Sequence, residues 1–309
     1  MSSVLNEARF QNEEAAFAYV EAHVWPEGRS CPHCGIVGDS GALKGKTNRV
    51  GLYKCYACRK PFTVKVGTIF ESSHVALRLW LQAIHLVTSS KKGISANQLH
   101  RTLGVTLKTA WFVGHRIREA MSVGGLAPMG GEGETVEIDE TFIGQKQDVP
   151  KAKGGWKHKS VVLTLVQRGG SARSFHVEST RKEHVMPIIR ENIARETAVQ
   201  SDEAVQYKKL AEDFESHGMV RHGDDEYVYR DRVTGSVDHI NAVEGFYSIF
   251  KRGMKGVYQH CQEKHLHRYL AEFDFRYSNR VKLGIDDVTR ADRALKGVVG
   301  KRLTYQTID

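Results

Sequence analysis

Apolar and polar positions change their period once along the 309-residue chain, and the change divides it. Up to about residue 121 the pattern is helical. "NEEAAFAYVEAH" (12–23) predicts a short helix, with Asn12 at its N-cap, Glu13 and Glu14 in its first turn, and Pro26-Glu27-Gly28 ending it. A second helical block fills 74–121. Within it, "GISANQLHRTLGVTLKTAWFVGHRIREAM" (93–121) has the layout of a helix-turn-helix. Ser95 caps a first helix with Leu99 and Leu103 inward, Gly104 supplies the turn, and Thr106 caps a second helix. Ala110, Val113 and Ile117 recur at three and four as that helix's buried stripe. Lys108, Thr109, Phe112 and Arg116 are left for an outward face that could enter a DNA groove. An ordinary helical hairpin would show the same pattern.

The five glycines and one proline of "SVGGLAPMGGEGE" (122–134) predict a linker, and beyond it the pattern becomes β-rich. "ETVEIDETFIG" (134–144), "KSVVLTLVQRGG" (159–170), "ARSFHVEST" (172–180) and "TAVQSDE" (197–203) read as strands, with Gly169-Gly170 as a hairpin turn. "KEHVMPIIRENIAR" (182–195) reads as a helix despite Pro187, "YKKLAEDFESH" (207–217) as another, "EYVYRD" (226–231) as a short strand, and 241–277 as largely helical. Strands first and then mixed elements describe an α/β domain with a mixed sheet. The expected boundaries are 1–73 for the N-terminal helix and cysteine module, 74–121 for the helix-turn-helix, 122–134 for the linker, and 135–309 for the α/β domain.

Four of the five cysteines form two knuckles, Cys31-x-x-Cys34 and Cys55-x-x-Cys58, twenty residues apart. This is the four-thiolate spacing of a zinc ribbon, since each tight bend offers two thiolates to one tetrahedral Zn²⁺. Four protein ligands close the coordination shell, so the expected zinc is structural: it folds a module too small for its own core. Two separate redox pairs are the competing account. Cys261 stands apart as a free cysteine.

Charge adds a partner. The chain carries +9 overall, and residues 41–120 hold 14 Lys and Arg against Glu71 and Glu119, a local +12. A basic block beside a helix-turn-helix points to nucleic acid. The N-terminus has acids and no apolar core segment, unlike a secretory signal. Val75 to Thr88 is broken by Arg78, Gln82 and His85, so it is unsuited to span a bilayer. An intracellular protein with reduced thiols is the expectation.

Asp139 closes "TVEID" and Asp202 closes or follows "AVQSD"; strand ends of an α/β sheet face the crevice where ligands bind. Paired carboxylates suit Mg²⁺ or Mn²⁺, and a third acid would complete a two-metal site for phosphoryl transfer. Glu244 is the candidate. Val243, Phe246, Tyr247 and Phe250 form one buried stripe, which puts Glu244, Ser248 and Lys251 on the adjoining one. Each aspartate alone would more often be a turn or cap residue. Asp224, Asp225 and Glu226 are rivals that read as a loop, and His239 reads as a capping or packing residue.

With "WPEGRSCPHCG", "YKCYACRKPFTVKVGTIF", "LKTAWFVGHRIREAM", "VEIDETFIG", "SDEAVQY", "HINAVEGFYSIFKRGMKGVY" and "KHLHRYLAEFDFRYSNR", nearly the whole chain resembles the DDE transposases of the bacterial insertion-sequence family numbered fifteen ninety-five. The resemblance implies an RNase H-like catalytic domain, with Asp139 and Asp202 as the first two acids and Glu244 as the third. It makes Lys251 the basic residue seven positions on, and Asn241, one turn before Glu244, a contributor to or alternative for the third ligand. It further implies two catalytic Mg²⁺ or Mn²⁺ ions, binding of terminal inverted repeats and target DNA, strand cleavage followed by joining, at least a dimer on DNA, and a cytoplasmic, nucleoid-associated bacterial setting. A nuclease on the same fold that cuts without joining, and a zinc-dependent DNA-binding regulator with a degenerate catalytic domain, are the alternatives.

Overall fold

The structure, a computed structural model, describes residues 3–45, 48–146, 149–151, 155–220, 229–230 and 237–304. Asp224, Asp225 and Glu226 lie outside the described residues. The chain forms two compact units, residues 1–122 with 285–309, and residues 123–284.

The first unit opens with α1 (Ala8–Gln11) and α2 (Glu13–Val24), and the Asn12 side chain accepts from Ala15 N at 2.8 Å as the predicted N-cap. A small antiparallel sheet follows, of β1 (Ser40–Ala42), β2 (Tyr53–Cys55) and β3 (Pro61–Phe62). Then come α3 (Leu77–Ser89), α4 (Ala96–Leu103) and α5 (Leu107–Met121). Helix α3 has no cap of its own; Glu13 supplies one, accepting from Leu77 N at 2.7 Å and Arg78 N at 3.1 Å. The helix-turn-helix is built as read. Ser95 and Thr106 accept from Gln98 N and Thr109 N, and Gly104 sits at φ +66°, which favours glycine. Leu99, Leu103, Ala110, Val113 and Ile117 are buried.

The C-terminal segment departs from the expected boundary at 135–309. Helix Asp287–Lys296 packs on α3, and the residues after it join the first unit through Ile69 N to Val298 O (3.2 Å) and Gly300 N to Gly67 O (2.9 Å). A Cβ at Gly297 would lie 2.2 Å from Ala120 O, so only glycine permits this approach to the end of α5. The predicted linker also divides. Its Met129 is buried in the second unit's core and exchanges backbone hydrogen bonds with Asn192 and Ala194.

The second unit is a five-stranded mixed sheet. Its strands are β4 (Thr135–Ile143), β5 (Ser160–Gln167), β6 (Ala172–Val177), β7 (Ala198–Asp202) and β8 (Ser216–Val220), in the order β6-β5-β4-β7-β8. β4, β5 and β6 are antiparallel neighbours, while β7 and β8 run parallel to β4. This is the RNase H-like mixed sheet that was expected. Helix α6 (Lys182–Asn192) packs through Val185, Met186 and Ile189 on one face, with Val136, Ile138 and Leu163. Helices α7 (Asn241–Gly253) and α8 (Leu266–Ser278) cover the other, with Ile143, Val162 and Val166. β9 (Tyr229–Arg230) and β10 (Val237–Asp238) form a separate ribbon. The helix expected over 207–217 is absent. Short 3₁₀ turns occupy Val205–Tyr207 and Leu210–Glu212, and the stretch then enters β8, because pairing with β7 overrides its local helical preference. Among the described residues no helix is long and apolar enough to cross a membrane.

Candidate functional site

In the first unit the four predicted cysteines converge. Cys31 Sγ lies 3.6 Å from Cys58 Sγ, Cys34 Sγ lies 3.7 Å from Cys55 Sγ, and all four fall within 4.8 Å of one another. A tetrahedron with zinc–sulfur bonds of about 2.3 Å has sulfur–sulfur edges of about 3.8 Å. The separations fit that edge and are far longer than a disulfide. Cys31 and Cys55 are buried against Phe62, with Trp25 and Tyr53 beside them, so the cluster stands in for part of a core.

The four residues assigned to the outer face of α5 separate. Lys108 is exposed, and Thr109 and Phe112 are half-buried. Arg116 is only 5% exposed, and its guanidinium donates to Ile69 O at 2.7 Å, Glu71 O at 2.8 Å and Leu303 O at 3.0 Å. Burial lowers its pKa, and the Phe112 ring lies 4.6 Å from its Cζ. Arg116 therefore holds the unit together and does not face a groove. The helix is buried from Val113 to Arg118, which leaves its N-terminal residues, Leu107 and Lys108, as the open part.

In the second unit Asp139 stands at the middle of β4, not at its end. Antiparallel pairing with β5 continues to Ile143, while the parallel ladder with β7 runs only from Thr135 to Glu137. Asp139 thus sits just where β4 and β7 part. Glu137 pairs with Gln200, so Asp139 and Asp202 occupy the next like-facing positions on neighbouring strands. Val136 and Ile138 point into the α6 core, which turns Glu137, Asp139 and Thr141 to the α7 face. The Asp139 carboxyl is pushed up to about 8, first by burial and then by the charges of Glu140 and Asp202, while Lys251 pulls it down. Glu140, pushed up to about 7 chiefly by burial, accepts from Gln206 Nε2 at 3.1 Å. Asp202 Oδ1 accepts from Ala204 N at 3.0 Å.

Helix α7 lies over this edge. Val243, Phe246, Tyr247 and Phe250 are buried as predicted, and the Tyr247 hydroxyl donates to Asp139 O at 2.7 Å, with Val162 O at 3.1 Å. Glu244 is exposed one turn before Tyr247, Lys251 follows one turn after it, and Asn241 is exposed at the helix start. Asp139, Asp202 and Lys251 are brought together electrostatically. Glu244 is carried on the same helix as Lys251, yet among the described residues only the cysteines gather three or more ligand atoms within 4.8 Å. His239, just before α7, accepts from Asn241 N through Nδ1 at 3.4 Å, and the same nitrogen lies 3.2 Å from Glu137 Oε1.

Two acids escaped the sequence reading. Glu137 is fully buried and Glu140 adjoins Asp139. The one available signal was Glu137-x-Asp139, two acids on one strand face, next to a third in Glu140.

Residues 131–278 match the ISXO2-like transposase domain family, and residues 11–61 match the transposase zinc-ribbon domain family. The chain is similar to an uncharacterized protein in transposable element ISH50 of Halobacterium salinarum, at 27% identity over 283 residues, covering 86% of this chain and 91% of that relative. The cysteine cluster falls inside one matched segment and Asp139, Asp202 and Glu244 inside the other; the chain thus carries the zinc ribbon and the transposase domain of IS1595-type insertion-sequence transposases.

Proposed function

We propose that the chain is an active transposase that binds the terminal inverted repeats of its element and uses Asp139, Asp202 and Glu244 to cut and rejoin DNA strands. The observation that carries this reading is the crowding of Asp139 and Asp202 on adjacent strands beneath the helix bearing Glu244 and Lys251. Burial and like charge raise Asp139 to about 8, an excess of negative charge that a divalent cation would relieve. The donors fit Mg²⁺ or Mn²⁺, being carboxylate oxygens at a strand edge. Bound by Asp139, Asp202 and Glu244, with Asn241 beside the third position, a pair of such ions would activate a water or a 3′-hydroxyl and neutralise the phosphodiester. Lys251, which already acts on Asp139, presents its ammonium to a DNA phosphate. Tyr247 holds the strand and the helix in register through the Asp139 carbonyl.

In the first unit, Zn²⁺ on Cys31, Cys34, Cys55 and Cys58 has a structural role. Lys108 and Thr109, at the start of α5, and Phe112 beside them contact the repeats, as the N-terminal residues of a recognition helix do. Joining two element ends requires two active sites, hence at least a homodimer on DNA. The test is strand cleavage and joining on a duplex copied from the element's end. Asp139→Ala, Asp202→Ala and Glu244→Ala each abolish both reactions while repeat binding persists. Cleavage that survives Glu244→Ala but not Asn241→Ala reassigns the third position. Full activity in Asp139→Ala refutes the reading.

A further inference from the structure

The N-cap residue of α7, Ile240, has no side chain that can bond the first turn, and from its own flank His239 Nδ1 reaches only Asn241 N, at 3.4 Å. The cap comes from the sheet. Glu137 Oε2 accepts from Ala242 N at 2.7 Å and from Val243 N at 3.0 Å. Glu137 Oε1 takes Arg168 Nε at 2.8 Å and lies 3.2 Å from His239 Nδ1. Arg168 reaches on to Gln200 Oε1 and to His239 O (2.7 Å), and Gln200 Oε1 also accepts from His239 N at 2.8 Å. Residues from β4, from the turn after β5 and from β7 therefore close one network, buried at Glu137 and half-buried at Arg168 and His239, around the start of α7.

A helix needs no such device merely to be stable. A Ser or Asp at the N-cap is the commoner device, whereas here Ile240 fills that position as part of the core, and a carboxylate with no exposed area costs desolvation that its donors must offset. What the buried acid adds is registration. Glu137 and Asp139 stand two residues apart on one strand and hold α7 at two points, its first turn through the Glu137 carboxylate and Tyr247 through the Asp139 carbonyl. Glu244 lies between those points. Its place relative to Asp139 is fixed from both sides, and Lys251 follows as part of the same rigid helix.

We propose that Glu137 is a positioning residue for the acidic site, setting where Glu244 and Lys251 stand relative to Asp139 and Asp202 without touching DNA or metal. This rests on the function proposed above. With both oxygens occupied by α7, Arg168 and His239, Glu137 is the helix's anchor and not a further ligand.

The test uses the full-length chain, with Mn²⁺ as the probe. Mn²⁺ affinity of the free protein is measured by calorimetry. The single-turnover cleavage rate is measured at saturating DNA, and DNA affinity separately. Glu137→Gln turns one acceptor oxygen into a donor facing N–H groups. It should weaken Mn²⁺ binding several-fold and slow cleavage by roughly 10–100-fold, since displacements of about 1 Å cost that much. DNA affinity should stay within about twofold, because the altered contacts lie in the second unit. In a Glu244→Ala background, Glu137→Gln should weaken Mn²⁺ binding no further, because its effect passes through Glu244. Should Glu137→Gln fail to fold, Tyr247→Phe removes the second attachment and must shift Mn²⁺ affinity and rate in the same direction. Wild-type Mn²⁺ affinity and rate in a folded Glu137→Gln or Tyr247→Phe, or losses that multiply with Glu244→Ala, overturn the proposal alone. Mn²⁺ affinity indifferent to Asp139→Ala overturns the functional reading and this proposal with it.

Discussion

Replacing Arg116 with Ala should damage the first unit itself, whereas replacing Lys108 should damage only its hold on DNA. The Arg116 guanidinium donates to three backbone carbonyls at 2.7–3.0 Å in a site with almost no solvent. A hydrogen bond from a charged donor contributes about 1.5–3 kcal/mol, and carbonyls left unpaired add their own desolvation. Bonds sharing one side chain are not additive, so a loss on the order of 3–4 kcal/mol is expected. For a unit of this size about 3 °C accompanies each kcal/mol, which lowers its melting temperature by about 10 °C. Scanning calorimetry of the full chain reads the shift, and fluorescence anisotropy with repeat DNA reads affinity. Lys108→Ala should melt like the wild type, bind DNA more weakly, and show a shallower dependence of affinity on salt. If Arg116→Ala melts like the wild type yet alters base preference, the guanidinium reaches DNA and its structural assignment is wrong.

Purified without chelators, the protein should carry one zinc per chain, and Cys31→Ser should lose it and destabilise the first unit; elemental analysis finding no zinc in the unaltered protein counts against the tetrahedral cluster. The second unit should weaken as pH rises. Asp274, buried and accepting from Ser174 N and Oγ at 2.7 Å, is pushed by burial from an ordinary 3.8 to about 7. The fold retains this proton after the unfolded chain has lost it. Its contribution is therefore full below about pH 4 and lost by about pH 7, on the order of 4 kcal/mol. Asp274→Asn should gain on the wild type in urea midpoint between pH 4 and pH 8, and a difference constant across that range refutes the assignment.

What the sequence disclosed was whatever is encoded locally. Two Cys-x-x-Cys bends, a Ser95 and Thr106 cap, a Gly104 turn and the Val243–Phe250 stripe each announce themselves within a few residues, and each is built as read. The remainder depends on distant partners. Residues 207–217 looked helical until β7 was there to pair with their end. Arg116 shares its helix with Lys108, and only Ile69, Glu71 and Leu303 make it internal. Glu137 is one more polar residue in a strand until α7 arrives some hundred positions later. Asp139 was legible as an acid near an edge, but the edge itself arises from where the β7 ladder stops.

The return of the C-terminal segment to the first unit has a consequence in time. Residues 123–284 interrupt the unit that begins the chain, and helix Asp287–Lys296 completes it. At 5–20 residues per second, synthesis spends roughly 10–30 s on the intervening stretch. The zinc ribbon and helix-turn-helix emerge first, yet their unit closes last, after the acidic sheet has had the chance to fold. A chain whose translation stops short of residue 287 therefore carries Asp139, Asp202 and Glu244 attached to an unfinished partner. The last helix thus ties completion of the zinc-ribbon unit to synthesis of the entire acidic one.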